Sequence, residues 1–351
     1  MIIDALRGYR AEKAFRRKLE ESVPRLLQAE AVPGLALSLV RDGRATWDGA
    51  FGVRRSDASD PVTPNTILEA GSLGKPVFAY TALQLCNEGV LDLDTPLDDY
   101  LASPCVPGDP RSSRITTRRV LSHTTGLPNW RRTGEALSTH FEPGERFLYS
   151  GEAFMVLQHV VEQLTKQSPA AFLTARAFEP AGMFDSAFVW EGTETQPVAF
   201  GQRADGTVVR KALWPKVEVA ASLHTTARDV AAFLCQVMND PAIARDMLTR
   251  QVSVNDRPWD RDAALESCAI DEHVSWGLGW GLGAGPAGTS FWHWGNNGCY
   301  RAFAIAYPSE GCGIAILTNG ENGHRVIARI LREVAGGAYP ELDWLDRVRE
   351  S

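Results

Sequence analysis

The stretch Gly71-Ser72-Leu73-Gly74-Lys75-Pro76-Val77-Phe78 decides how this chain is read. Pro76 fits a helix only in its first turn, where its missing N–H is not needed. Val77, Phe78, Thr81, Ala82 and Leu85 then share one helical face, and Gly89 ends the helix. Ser72 therefore stands at or near the helix start, with Lys75 three residues on and close enough for the two heads to meet. A hydroxyl is a poor nucleophile until a nearby group takes its proton, so the pair suits covalent catalysis. At a helix start the positive end of the macrodipole disfavours a protonated amine and pushes Lys75 toward its neutral, basic form. Backbone N–H groups there can also hold a developing oxyanion. A Ser-x-x-Lys arises by chance about once in a chain this long, so its company carries the reading.

Upstream, a helix with Phe15, Leu19 and Val23 on one face leads to two strands, Leu35 to Val40 and Ala45 to Val53. Asp42-Gly43 lies between them as a tight hairpin turn, since these residues tolerate positive φ. Downstream, Phe154, Leu157, Val160, Val161 and Leu164 mark a helix, Ser168-Pro169 starts another, and Thr226 with Asp229 opens a third. Ser275 to Leu282, Cys299 to Tyr307 and Gly313 to Thr318 read as strands, and Asn322 caps a final helix through Val334. Two early strands, a helical middle and late strands give an α+β protein. Its antiparallel sheet comes from both chain ends: residues 1–66 and 270–351 form the sheet region, 67–269 the mostly helical one, with the active site between them.

Two further segments complete the pattern. Phe141-Glu142-Pro143-Gly144-Glu145-Arg146-Phe147-Leu148-Tyr149-Ser150-Gly151 brings a tyrosine to a helix start, and Trp292-His293-Trp294-Gly295-Asn296 lies just before the late strands. This order resembles the serine β-lactamase and penicillin-binding-protein superfamily, with its Ser-x-x-Lys, Tyr-x-Asn and Lys/His-Thr-Gly motifs. The likeness is greatest to the class C β-lactamase and esterase branch, and it extends to Leu91–Leu97, Leu121–Pro128 and Ser222–Asp229. It implies the β-lactamase/transpeptidase-like fold and an acyl-enzyme on Ser72, with Lys75 and Tyr149 moving its proton. The resemblance leaves the base open between those two. It also implies an oxyanion hole from the Ser72 N–H and that of Asn296, with Gly295 letting substrate run close to the strand.

Two departures narrow the activity. Gly151 stands where lactamases and peptidases carry an asparagine amide that contacts the lysine and the acyl group. His293 replaces the third-motif lysine, and a histidine near neutral pH supplies no permanent charge for a substrate carboxylate. Both point to a carboxylesterase acting on small or medium acyl esters. The same pattern also accommodates an acyltransferase or amide-forming enzyme, a weak β-lactamase or D-peptidase, and a non-catalytic filament or scaffold homologue. Trp294, inside the motif, is the best candidate to wall an acyl pocket, while Trp276, Trp280 and Trp292 lie close to it in sequence. His123, His224 and a buried Cys299 read as structural.

Composition excludes other classes. An apolar fraction of 44% and a charged fraction of 23% over 351 residues are those of a globular protein. A net charge of -7 argues against a nucleic-acid partner, and the basic cluster Arg7 to Lys18, interleaved with acids, reads as a solvated helix face. The amino terminus lacks the apolar run of ~7–15 residues that a secretory signal needs, and no stretch approaches a membrane span. A cytoplasmic protein taking a small-molecule acyl substrate, with no membrane partner, cofactor or metal, is expected. Its six cysteines are scattered without a paired spacing.

Overall fold

The computed structural model describes residues 1–192, 196–285 and 288–350. The hairpin forms as its turn chemistry requires: Gly34–Arg41 and Arg44–Gly52 pair antiparallel, joined through Asp42 and Gly43 at φ 52° and 67°. Strand Cys312–Thr318 adds to the other side of Gly34–Arg41, followed in space by Tyr300–Tyr307, Gly288–Asn297, Gly281–Gly285, Ile270–Trp276 and Val252–Asn255. The result is one eight-stranded antiparallel sheet drawn from both ends of the chain. Its last strand, Val252–Asn255, lies ahead of residue 270.

Alternation sorts the side chains by size. Leu35, Leu37, Leu39, Ile314 and Ile316 face one layer, into which Phe15, Leu19, Val23 and Trp344 also pack. Ala36, Ala302, Ala304, Ala306 and Ala315 face the other. Small residues on that face let helix Ala227–Asn239 lie close, burying Val230, Phe233, Leu234 and Val237 against the sheet. The outer charges of the first long helix, Tyr9–Ala29, include exposed Lys13, Arg17 and Lys18.

Several expectations change. The helix Gly74–Asn87 is buried nearly all round, from Gly74 through Leu83, and not along a single face. An element apolar on every side belongs in the middle of a core, and here it packs against the helical segments Pro241–Met247 and Thr174–Phe178. Ser275 to Leu282 is not one strand: a turn at Gly277–Trp280 divides it, with Gly279 at φ 89°. A Cβ on Gly277 would stand 2.1 Å from the Met247 carbonyl, so only a glycine fits at this approach of the two backbones. The segment with His293 is itself a strand. Asn322 occupies the cap position, but its amide donates to Glu30 O instead of capping. A last helix, Pro340–Glu350, goes beyond the sequence reading and buries Trp344.

Candidate active site

Gly71, at φ 53°, turns the chain from strand Leu68–Gly71 into the helix that begins at Gly74. Ser72 lies in this turn, and Lys75 sits at the second helical position. Lys75 Nζ donates to Ser72 Oγ at 2.9 Å and to Ala220 O at 2.8 Å, while Ser72 Oγ donates to Ala220 O at 3.3 Å. Lys75 is completely buried, and the Tyr149 and Phe154 rings lie 4.9 and 5.9 Å from its Nζ. Burial lowers its pKa to about 7. Desolvation is thus the resolved cause of the shift in this amine.

Tyr149 is placed by the start of helix Gly151–Thr165, where Ser150 caps the Ala153 N–H and gives its own N–H to His123 Nδ1 at 3.0 Å. The Tyr149 ring stacks on His123 at 4.3 Å and leans on Trp294 at 4.8 Å and Trp259 at 5.1 Å. Its hydroxyl is buried without a hydrogen bond of normal geometry. Burial raises the phenol pKa well above its usual value, and the nearby Ser72 hydroxyl only partly opposes this. His123 lies directly behind the Tyr149 ring and not away from the motifs.

The strand Gly288–Asn297 runs past Ser72. A Cβ on Gly295 would stand 2.0 Å from the Ala70 carbonyl, so this glycine allows the close approach of two protein strands. Gly295→Ala is accordingly expected to cost about 3 kcal/mol in urea denaturation, since backbone atoms cannot yield as a side chain can. An unchanged midpoint would show that the strands part freely. Asn296 is exposed, and its backbone N lies 3.5 Å from the Cβ position of Gly71, the residue before Ser72.

His293 and the tryptophans are placed differently from the expectation. His293 is completely buried, with Nδ1 2.7 Å from Trp294 O, and burial takes its pKa to about 3. It is a neutral ring beneath Tyr149, with no access to a substrate carboxylate. Trp276, Trp280 and Trp292 are core residues, and Trp294, 6% exposed, backs Tyr149. The tryptophans that line a cavity of about 780 Å³ beside the site are Trp130 and Trp214, together with Asn296, Ala221 and Tyr300. Sequence reading missed both, because nothing local marks a loop tryptophan as a pocket wall. Cys299 is buried on the same cavity, its thiol pKa pushed up by desolvation.

Trp130 also explains Gly151. A Cβ there would meet the Trp130 ring at 2.7 and 2.8 Å, and the Asn129 carbonyl at 3.0 Å. The indole thus covers the start of the tyrosine helix where a longer side chain would otherwise stand.

Residues 15–337 match the family model described as Beta-lactamase. The chain belongs to the beta-lactamase family. This beta-lactamase family member is 27% identical over 329 residues to penicillin-binding protein 4 of Amycolatopsis lactamdurans, covering 87% of this chain and 85% of that protein. It spans 35% and 49% of the length of two other curated relatives. Its fold matches an octameric penicillin-binding protein homologue from Pyrococcus abyssi (TM-score 0.76, 23% identity, covering 93% of this chain and 78% of that one). It also matches the D-alanine carboxypeptidase AmpC from Burkholderia cenocepacia (TM-score 0.72, 22% identity, 91% and 99%). Both confirm the β-lactamase/transpeptidase-like fold. Among the described residues no helix is long and apolar enough to cross a membrane.

Proposed function

We propose that this beta-lactamase family member is a serine hydrolase that forms an acyl-enzyme on Ser72 and turns over small or medium acyl esters. The observation that carries this reading is the 2.9 Å contact between Ser72 Oγ and a fully buried amine whose pKa lies at about 7. Such an amine is part neutral at physiological pH, and the neutral form can accept a proton. Tyr149, its pKa raised by burial, stays a neutral phenol and acts as a relay, so Lys75 is the base in this scheme.

The chemistry then balances. Ser72 Oγ bonds to the ester carbonyl carbon as its proton passes to Lys75. The carbonyl oxygen becomes an oxyanion facing the N–H groups of Ser72 and Asn296. Collapse breaks the bond to the alkoxide, which leaves with the proton returned through Tyr149. Water, deprotonated by the same amine, attacks the acyl-enzyme and releases the acid and free Ser72.

Esters are favoured over β-lactams on two grounds. The neutral, buried His293 offers no charge to a lactam carboxylate, and Trp130 takes the room of a second-motif amide beside Gly151. A missing charge-assisted hydrogen bond is worth ~1.5–3 kcal/mol, so losing two contacts leaves feeble lactamase activity. The kcat/KM for a short-chain p-nitrophenyl ester is therefore expected to exceed that for penicillins and cephalosporins by at least about 100-fold. Gly151→Asn alone would collide with the indole; only together with Trp130→Ala should it narrow the gap. Comparable wild-type rates on nitrocefin and p-nitrophenyl acetate would overturn the ester preference.

A further inference from the structure

One buried network beside Ser72 takes no part in these proton transfers. Glu69, three residues before the nucleophile, is 3% exposed. Its Oε2 accepts a 2.9 Å hydrogen bond from Asn297 Nδ2, and its Oε1 lies 3.5 Å from Lys211 Nζ. Lys211 is buried too, against His224 Nδ1 and 5.1 Å from the centre of the Trp190 ring. Asn297 Nδ2 makes a second bond, 3.0 Å to Ala221 O. Asn297 Oδ1 lies 2.7 Å from the Cβ position of Gly71, so the amide rests on the turn that presents Ser72.

One side chain thus ties together three segments. They are the strand entering Ser72, the strand end carrying Asn296, and the 220–221 backbone. The Ala220 carbonyl of that backbone takes both Lys75 Nζ and Ser72 Oγ. Oxyanion donors act only when they lie about 2.7–3.1 Å from where the charge will develop. Here one donor lies in the turn after strand Leu68–Gly71 and the other on strand Gly288–Asn297, so their spacing depends on whatever joins those two segments. A buried carboxylate is costly unless paired and hydrogen-bonded; Lys211 pairs with Oε1, which has no hydrogen bond, and Asn297 donates to Oε2.

We propose that Asn297, oriented by the Glu69–Lys211 pair, is a positioning residue that sets the spacing of the Ser72 and Asn296 N–H groups. This rests on the acyl-enzyme reading above. The test compares the full-length wild type with Asn297→Leu, Glu69→Gln and Glu69→Leu. It reads kcat and KM on p-nitrophenyl acetate and the affinity of an arylboronic acid, whose tetrahedral adduct mimics the transition state. Asn297→Leu is expected to lower kcat by about 10- to 100-fold while KM stays within about twofold, and to weaken the boronic acid by a like factor. Glu69→Gln keeps an acceptor for the Asn297 amide and should retain several-fold more activity than Glu69→Leu. A folded Asn297→Leu enzyme with wild-type kcat, or with a loss confined to KM, overturns the proposal. So does lowered kcat with unchanged boronic acid affinity. Should Asn297→Leu fail to fold, Asn297→Ser is read against the same outcomes. A wild type that a fluorophosphonate does not label on Ser72 sinks the acyl-enzyme reading and this inference with it. A labelled wild type with unaffected Asn297 variants sinks the positioning role alone.

Discussion

Ser72→Ala is expected to lose ester turnover by at least about 10⁴-fold and to lose covalent labelling entirely, while remaining folded. The Lys75 amine has Ser72 Oγ at 2.9 Å, and its other hydrogen bond among the described residues goes to the Ala220 carbonyl. With the hydroxyl gone, Lys75 keeps Ala220 O, so the buried amine is not stranded. The change in stability should stay near the ~1 kcal/mol of one hydrogen bond. Intact mass after exposure to a fluorophosphonate gives the answer directly. A folded Ser72→Ala protein that still gains one phosphonyl group would move the nucleophile elsewhere.

The second large effect concerns the pair proposed to take the proton. Lys75→Met, which keeps the volume of the buried chain, and Tyr149→Phe are each expected to cut kcat steeply, by about 10²-fold or more. The double variant should lose little beyond the worse single, because groups acting as a unit are non-additive. Fully multiplicative losses would show independent roles. The pH profile separates the two residues. In the proposed scheme the neutral amine is the acceptor, and the ammonium predominates below about 7, so kcat/KM should fall as pH falls through that value and level above it. The phenol, held well above its usual range, adds no limb near neutrality. Lys75→Met should abolish the acid limb. A wild-type rate that is flat from about pH 5 to 9 would exclude Lys75 as the base.

Much of the site was legible because its clues are local. Ser72 and Lys75 sit one turn apart, and Tyr149 precedes a helix capped by Ser150, as spacing and capping chemistry require. Asn296 falls beside the Gly71–Ser72 turn. His293 and Gly295 were found at the right places in the chain, yet with different surroundings. One lies wholly buried beneath Tyr149, and the other is pressed against Ala70. Trp130, Asn297 and Lys211 carried no local mark. Each matters through a partner far along the chain: Asn297 meets Glu69 across 228 residues.

The sequence by itself determined the α+β order, the Asp42-Gly43 hairpin, the caps at Ser168 and Thr226, and the family motifs. These depend on backbone preferences and periodicity within a few residues. Only the tertiary structure decided that Lys75 loses its water, that Trp130 covers Gly151, and that the serine helix is buried on every side. Desolvation and close packing are set by atoms distant in sequence. The Ala220 carbonyl that receives the Lys75 amine is 145 residues away, and no local pattern specifies that contact.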